Sequence, residues 1–351
     1  ATNSKGPEMA QYNALMSIKA VTGKLPVNII FVAEGDEERM DVGLRTFMKV
    51  HADLFKGADA MLGGGGSEGC LFLELTTSGK SWGRGPVYSD IHGANKRSVD
   101  SPAWRHIKML STLVAENGNK ILIPGFYDNI APLTPAEKAS LAATAKTMDP
   151  LVTAKNLGVA RYIADKPIDI VTMQRHGVSF NLDGIWSGNM FPGGSGAILP
   201  NTITSKHNIR YVPNMTGPDI VKKLRAYLDK EGYSDVQIHV VGDVPWAKQR
   251  HDTDINRAGI RMRQAFGGGE GRGGGAQQVM GEATILGGYW PAYLFSGDPV
   301  KLDIGGGSVG LGGNAHAANE FFVIEGAAKT YGYAGTEKSI ATTIYNYAGL
   351  N

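Results

Sequence analysis

Cysteine is almost missing from this chain: one residue in 351, Cys70. That excludes an internal disulfide framework and any zinc site built on thiolates, and it says little about compartment. An excess of one charge is missing too. Lys and Arg number 35 and Asp and Glu 33, a formal net charge of +2, so no strong basic field points to nucleic acid as a partner. Long apolar runs are absent. The longest are strand-sized, well short of the ~20 residues needed to span a bilayer, and no membrane partner is expected. The chain also lacks an initiator Met and a recognisable signal peptide, opening at Ala1-Thr2-Asn3-Ser4-Lys5-Gly6. That opening reads as a fragment or a processed product from which a targeting segment could have been lost. The expectation is a soluble protein, either cytoplasmic or exported.

What is present suits a core-forming globular chain, with 42% hydrophobic and 19% charged residues. Domains commonly hold about 100–200 residues, so two are expected. The 48 glycines favour many tight turns over long helices. A helix is predicted over 8–22, then a buried parallel strand over Pro26-Val27-Asn28-Ile29-Ile30-Phe31-Val32, an acidic turn, a helix through Leu44, Phe47 and Met48, and a strand at 58–62. This rhythm indicates an α/β domain with a parallel-rich sheet. Further strands are expected at 70–77 and 84–92, and a helix at 102–114. A second helix at 134–147 opens Thr134-Pro135-Ala136-Glu137, a capping box. From 176 to 242 the pattern becomes strand, strand, helix, strand, with strands at 178–182, 203–212 and 236–241 and a helix at 218–230. After about 243 the α/β pattern resumes, with helices near 252–266 and 336–349 and strands near 298–304 and 320–325. A smaller α+β domain inserted into a larger one explains this order: 1–84 and 243–351 for the larger, 85–242 for the insert. Gly267 to Gly275 is a low-complexity tract without the Lys-Ser/Thr pair of a phosphate loop, and reads as a surface loop.

Two stretches carry candidate chemistry. Glu34-Gly35-Asp36-Glu37-Glu38 follows the 27–33 segment, and ligands of open α/β sheets gather at the carboxyl ends of strands. Four carboxylates in five residues repel one another unless solvated or bound to cations, so either an acidic helix start or a site fits. His316 sits in a loop, Gly312-Gly313-Asn314-Ala315-His316-Ala317-Ala318-Asn319-Glu320. Alone it suits a structural or solvent-facing role; beside the carboxylates it becomes a metal-ligand candidate, since zinc takes imidazole nitrogen and carboxylate oxygen.

Taken in order, these segments resemble the zinc-dependent metallopeptidase family 20, which includes carnosine dipeptidase, acetylornithine deacetylase and succinyl-diaminopimelate desuccinylase. The matching segments are Ser4-Lys5-Gly6, Leu25 to Glu38, Asp90-Ile91-His92-Gly93, Ser101-Pro102-Ala103-Trp104, Ile123 to Asp128, Ile198-Leu199-Pro200, Ile209 to Met215, Gly287-Gly288 with Pro291, and His316 to Glu320. The resemblance implies a phosphorylase/hydrolase-like catalytic domain with an inserted ferredoxin-like lid that makes a homodimer or higher homo-oligomer. It implies one or two zinc ions, and small peptide or N-acyl amino acid substrates hydrolysed at an amide bond by metal-activated water. It also implies roles: Glu37 as general base, Glu38 and His316 as metal ligands, Asn3 at the bridging-ligand position, His92 as a lid histidine reaching a partner subunit's site to stabilise the oxyanion, and Arg210 as the grip on a substrate carboxylate. His92 as a plain strand-end histidine and Arg210 as a solvated strand residue are the simpler readings.

The departures from the family pattern are specific. Its His-x-Asp ligand segment would lie upstream of Ala1, leaving room for a separate N-terminal polypeptide. The aspartate that bridges the two metals is Asn3 here, a neutral amide. The acidic ligand expected after the 58–62 strand is replaced by Gly63-Gly64-Gly65-Gly66, with Asp59 and Glu68 the nearest carboxylates, and a substrate Thr and a Ser fall at Ala197 and Tyr289. Two functions therefore compete: a metal-dependent amide hydrolase, and a catalytically inactive homologue serving as a structural, binding or assembling subunit.

Overall fold

Three N-terminal cap sites place helices from local chemistry alone. Ser101 Oγ accepts from Trp104 N at 3.3 Å ahead of Pro102, and Thr216 Oγ1 accepts from Asp219 N at 3.3 Å ahead of Pro218. Thr134 and Glu137 close a reciprocal box, with Thr134 N donating to Glu137 Oε2 at 2.8 Å and Glu137 N to Thr134 Oγ1 at 3.2 Å. Each cap satisfies backbone donors that the first helical turn leaves unpaired, worth about 1 kcal/mol apiece. The computed structural model describes residues 1–250, 252–267, 285, 288–327 and 330–349. Residues 268–275 of the glycine tract lie outside the described residues.

The helices are α1 (Lys5–Thr22), α2 (Val42–Val50), α3 (Gly79–Trp82), α4 (Pro102–Leu113), α5 (Pro135–Thr147), α6 (Pro150–Leu157), α7 (Pro167–His176), α8 (Gly217–Lys230), α9 (Asp254–Ala265), α10 (Ala292–Ser296) and α11 (Tyr333–Ala348). The strands are β1 (Ala60–Leu62), β2 (Gly69–Ser78), β3 (Ile91–His92), β4 (Ser179–Trp186), β5 (Ile198–Leu199), β6 (Thr202–Tyr211), β7 (Gln237–Val244), β8 (Asp303–Gly305), β9 (Gly312–Gly313) and β10 (Phe321–Phe322). Among the described residues no helix is long and apolar enough to cross a membrane.

The chain divides into two units, one formed by Ala1–Ser67, Leu133–His176 and Ala247–Asn351, the other by Glu68–Pro132 and Gly177–Trp246. In the first, α1 meets α11 through small and branched residues: Ala10, Ala14 and Ile18 pack with Ile340 and Ile344. A second core joins Leu44 and Met48 of α2 to Phe55, Ala247, Ala292, Phe295 and Ile304. Strands β1 and β8 pair in parallel, Ala60 opposite Asp303 and Leu62 opposite Gly305.

The strand expected over 26–32 is not one. Residues 27–33 run without a ladder among the described residues, and Ile29, Ile30 and Phe31 are exposed. Its β-branched, apolar composition signals an extended segment, but a strand exists only where another backbone accepts its hydrogen bonds. Likewise the expected 84–92 strand is reduced to Ile91–His92, paired with Ile198 and Leu199.

The second unit is a four-stranded antiparallel sheet in the order β4-β6-β2-β7. With α4 after β2 and α8 before β7, the chain order is βαββαβ, the ferredoxin-like arrangement. Strict alternation sets the faces. Leu71, Leu73 and Leu75 of β2 and Ile209 and Tyr211 of β6 point inward, covered by Met109, Leu113, Ile220, Leu224 and Leu228. A glycine is required at 69, because a Cβ there would lie 2.2 Å from the Tyr211 ring. Cys70, fully buried beside it, has its thiol pushed up to about 12 by burial.

A polar chain runs through this core. Thr77 Oγ1 and His106 Nδ1 are 2.8 Å apart, His106 Nε2 and Ser205 Oγ 2.8 Å, Ser205 Oγ and His207 Nε2 2.7 Å, and His207 Nδ1 and the Asn181 carbonyl 3.0 Å. The carbonyl can only accept, so His207 Nδ1 carries the proton, and every other direction follows. His207 Nε2 accepts from Ser205, Ser205 accepts from His106 Nε2–H, and His106 Nδ1 accepts from Thr77. Burial lowers both imidazoles from 6.5 to about 4, so both are neutral in the fold.

Candidate metal-binding site

In the first unit, the residues at the carboxyl end of the 27–33 segment make a short 3-10 turn, Glu37–Arg39, followed by Met40 and Asp41 in left-handed conformations, φ 66° and 57°. This sharp reversal turns the acidic stretch back into α2. On the other side, β9 and β10 form a small antiparallel pair with Phe321 opposite Gly313. His316 lies in the connecting loop, itself left-handed at φ 68°. Non-glycine residues adopt that region at a cost of about 1 kcal/mol or more, and surrounding contacts hold them there.

The two segments meet. His316 Nε2 lies 2.7 Å from Glu38 Oε1, with both side chains more than half exposed. Asn3 Nδ2 donates to the same oxygen at 3.0 Å, and Asn3 N donates to Glu320 Oε1 at 2.7 Å. Glu38, His316 and Asn3, expected as ligands, are thus side by side, although residues 3, 38 and 316 are remote in sequence.

Behind Glu37 lies a residue that pattern reading missed. Asp41 is fully buried and neither carboxyl oxygen has an N–H or O–H donor. Burial first, then the adjacent Glu34 carboxyl and the Glu37 charge, raise it from 3.8 to about 8, with Arg45 opposing. At neutral pH it is an acid with its own proton to donate, and the Glu34 carboxyl beside it is the acceptor.

The remaining candidates belong to the second unit. His92 is exposed at the end of β3, and its Nδ1 accepts from Ala94 N at 3.1 Å, which leaves the proton on Nε2 when the ring is neutral. Arg210, near the end of β6, donates from Nη1 to Glu68 Oε1 at 3.0 Å and from Nε to Asn208 Oδ1 at 3.2 Å. Glu68 is thus committed to a guanidinium, and Asp59 is exposed.

Glycines 63–66, standing where an acidic ligand was sought, serve packing. Trp290 Nε1 donates to Gly65 O at 2.9 Å, and a Cβ on Gly64 would lie 3.3 Å from the indole. An indole occupies the space beside the glycine run.

The donor types can be tested against zinc. A carboxylate and an imidazole in contact are what zinc takes, at bonds of about 2.0–2.2 Å. Two such ligands on a tetrahedral ion stand about 3.3 Å apart, so the 2.7 Å pair would open slightly to admit one. No third His, Cys, Asp or Glu joins them among the described residues. The set present fits part of the shell of one ion and does not fit two.

Comparison with known proteins agrees with this layout. Residues 89–236 match the model of the peptidase dimerisation domain of M20 proteins. The chain is 27% identical over 285 residues to Beta-Ala-His dipeptidase of Rattus norvegicus, covering 76% of this chain and 56% of that protein. It is 28% identical over 250 residues to a Cys-Gly metallodipeptidase of Schizosaccharomyces pombe, covering 66% and 49%. An M20 metallo-carboxypeptidase from Sulfolobus solfataricus superposes with a TM-score of 0.80 at 25% identity, covering 98% of this chain and 76% of that one.

Over residues 89–236 the chain carries the M20 peptidase dimerisation domain, and as a whole it is similar to M20 metallopeptidases. Human carnosine dipeptidase 1 shares the fold, at a TM-score of 0.77 and 22% identity, covering 99% of this chain and 73% of that one. The chain spans about half the length of the curated M20 relatives it matches. The M20 pattern of a helix-flanked domain carrying a ferredoxin-like insert corresponds to the two units described above.

Proposed function

We propose that the protein is a metal-dependent hydrolase of peptide or N-acyl amide bonds in small substrates bearing a carboxylate. The observation that carries this reading is the 2.7 Å contact between Glu38 and His316. It unites an acidic turn and a distant loop imidazole with no evident structural need for each other, both being largely solvated. The dipeptidase names of the relatives support the same reaction class.

In this reading Glu38 and His316 would hold zinc, which when bound acidifies water and polarises the scissile carbonyl. Glu37, next to Glu38 on the same turn, accepts a proton from the attacking water and returns it to the leaving amine. The buried Asp41 carboxyl, held neutral by burial, places no second negative charge beside Glu37. His92, with its proton on Nε2, donates to the developing oxyanion, and Arg210 grips the substrate carboxylate. The dimerisation-domain match supports a homodimer.

A second reading, a non-catalytic homologue, is favoured by the indole filling the space beside Gly64 and by the amide at Asn3. Elemental analysis separates the two. The hydrolase binds zinc, and Glu37→Gln lowers kcat on a dipeptide by roughly 10²–10⁴ while retaining the metal. Protein that takes up no zinc and cleaves no dipeptide would leave only the second reading.

A further inference from the structure

Arg210 is held at two edges of its guanidinium, and the second holder is itself held. Asn181 of β4 and Asn208 of β6 face each other across the antiparallel ladder. Immediately after, the register shifts between Leu182 and Gly184, which makes Asp183 the extra residue of a β-bulge. Bulges re-aim side chains, and here the Asp183 carboxylate turns onto both amides: Asn181 Nδ2 donates to its Oδ1 at 2.6 Å, and Asn208 Nδ2 donates to the same oxygen. The Asn208 amide therefore has one workable orientation. Its N–H groups face the carboxylate and its oxygen faces Arg210 Nε at 3.2 Å. Flipping it would set oxygen against oxygen and N–H against N–H.

We propose that Asn208 and Asp183 are positioning residues for Arg210, fixing the plane of its guanidinium so that a carboxylate ligand meets a fork already aimed. This rests on the reading of Arg210 as the substrate-carboxylate grip. Arg210 carries several rotatable bonds, and a side chain ordered before binding loses less freedom when the ligand arrives. Asp183 also keeps Asn208 from rotating its own N–H groups toward the cation. Glu68, on Nη1 at 3.0 Å, fixes the other edge. A network serving only to staple β4 to β6 would have no reason to end on the guanidinium.

The test uses the full-length protein with a dipeptide and the same dipeptide carrying a C-terminal amide. Asn208→Leu should raise KM for the free acid about tenfold, change kcat less than about twofold, and leave the amide unaffected. The exchanged pair Asn208→Asp with Asp183→Asn keeps an acceptor facing Arg210 and an N–H facing back. It should return KM to within about twofold of wild type. Hydrogen exchange of the Arg210 Nε–H, followed by NMR without any substrate, should accelerate about tenfold in Asn208→Leu and recover in the exchanged pair. Equal losses on acid and amide, or an Nε–H that exchanges at the same rate in all three proteins, would overturn the proposal. If wild-type protein hydrolyses neither compound, the hydrolase reading fails, and the exchange measurement alone still decides whether Asn208 orders Arg210.

Discussion

The neutral imidazoles of His106 and His207 make acid stability a quantitative prediction. Both are buried, at 0% and 1% exposure, and burial lowers both from 6.5 to about 4. For His106 the neighbouring His207 adds to the lowering, while the Asn181 carbonyl and Asp183 partly oppose it for His207. The unfolded chain, with ordinary histidines, binds more protons than the fold between these limits. The stability contributed by these two rings therefore rises with pH through that window, is complete above about 6.5, and is lost as pH falls toward about 4. From about pH 7.5 to about pH 5 each ring accounts for about 2 kcal/mol, about 4 for the pair. With a urea dependence of about 2 kcal/mol/M, the pair lowers the midpoint by about 2 M at the acidic end, read as the difference between wild type and the control below, since the opposing titration of Asp41 is common to both. Four of the five tryptophans, at 82, 104, 186 and 246, belong to the unit containing this network, so indole fluorescence follows it. The control replaces the network by apolar groups of similar size: Thr77→Val, His106→Leu, Ser205→Ala and His207→Phe. Removing all partners together avoids stranding a buried donor, and the variant should lose most of the acid-side decline. An equal decline in wild type and variant would refute the assignment of neutral, buried rings.

Three shorter predictions follow from other sites. Glu68→Gln weakens the charge-assisted contact that fixes the Nη1 edge of Arg210 and should weaken the binding of a small carboxylate severalfold by calorimetry; tighter binding would show that Glu68 competes for the guanidinium rather than aiming it. Gly69→Ala forces a methyl into the Tyr211 ring and should cost at least about 2 kcal/mol, seen as a lower Tm and partly relieved by Tyr211→Leu. Asp41 keeps its proton in the fold up to about 8 but loses it near 3.8 when unfolded, so its contribution is full in acid and falls as pH rises through that range. Asp41→Asn cannot titrate and should flatten that slope in thermal unfolding followed by circular dichroism.

Much of the fold was legible because caps and alternation act locally. Thr134 and Glu137 announce α5 within four residues, and the inward alternation of β6 appears as every second residue from Ile203 to Tyr211. The 27–33 segment failed because its residue types report extension and apolar contact, while strand pairing depends on a partner that sequence does not name. In the candidate site, the meeting of Glu38 and His316 was readable only through family order. The roles of Asp41, Asn208 and Trp290 were not readable at all. Asp41 matters through a burial that no periodicity marks, Asn208 through a bulge one strand away, and Trp290 through a glycine run 225 residues earlier whose carbonyl it meets.

The lone thiol has a practical consequence. Because Cys70 is sealed inside the sheet with its proton held up to about 12, maleimides and iodoacetamides at neutral pH find almost no thiolate to attack. A cysteine introduced at an open position such as Tyr88, 94% exposed, would then be the one site that takes a fluorophore or spin label, with the native residue left in place.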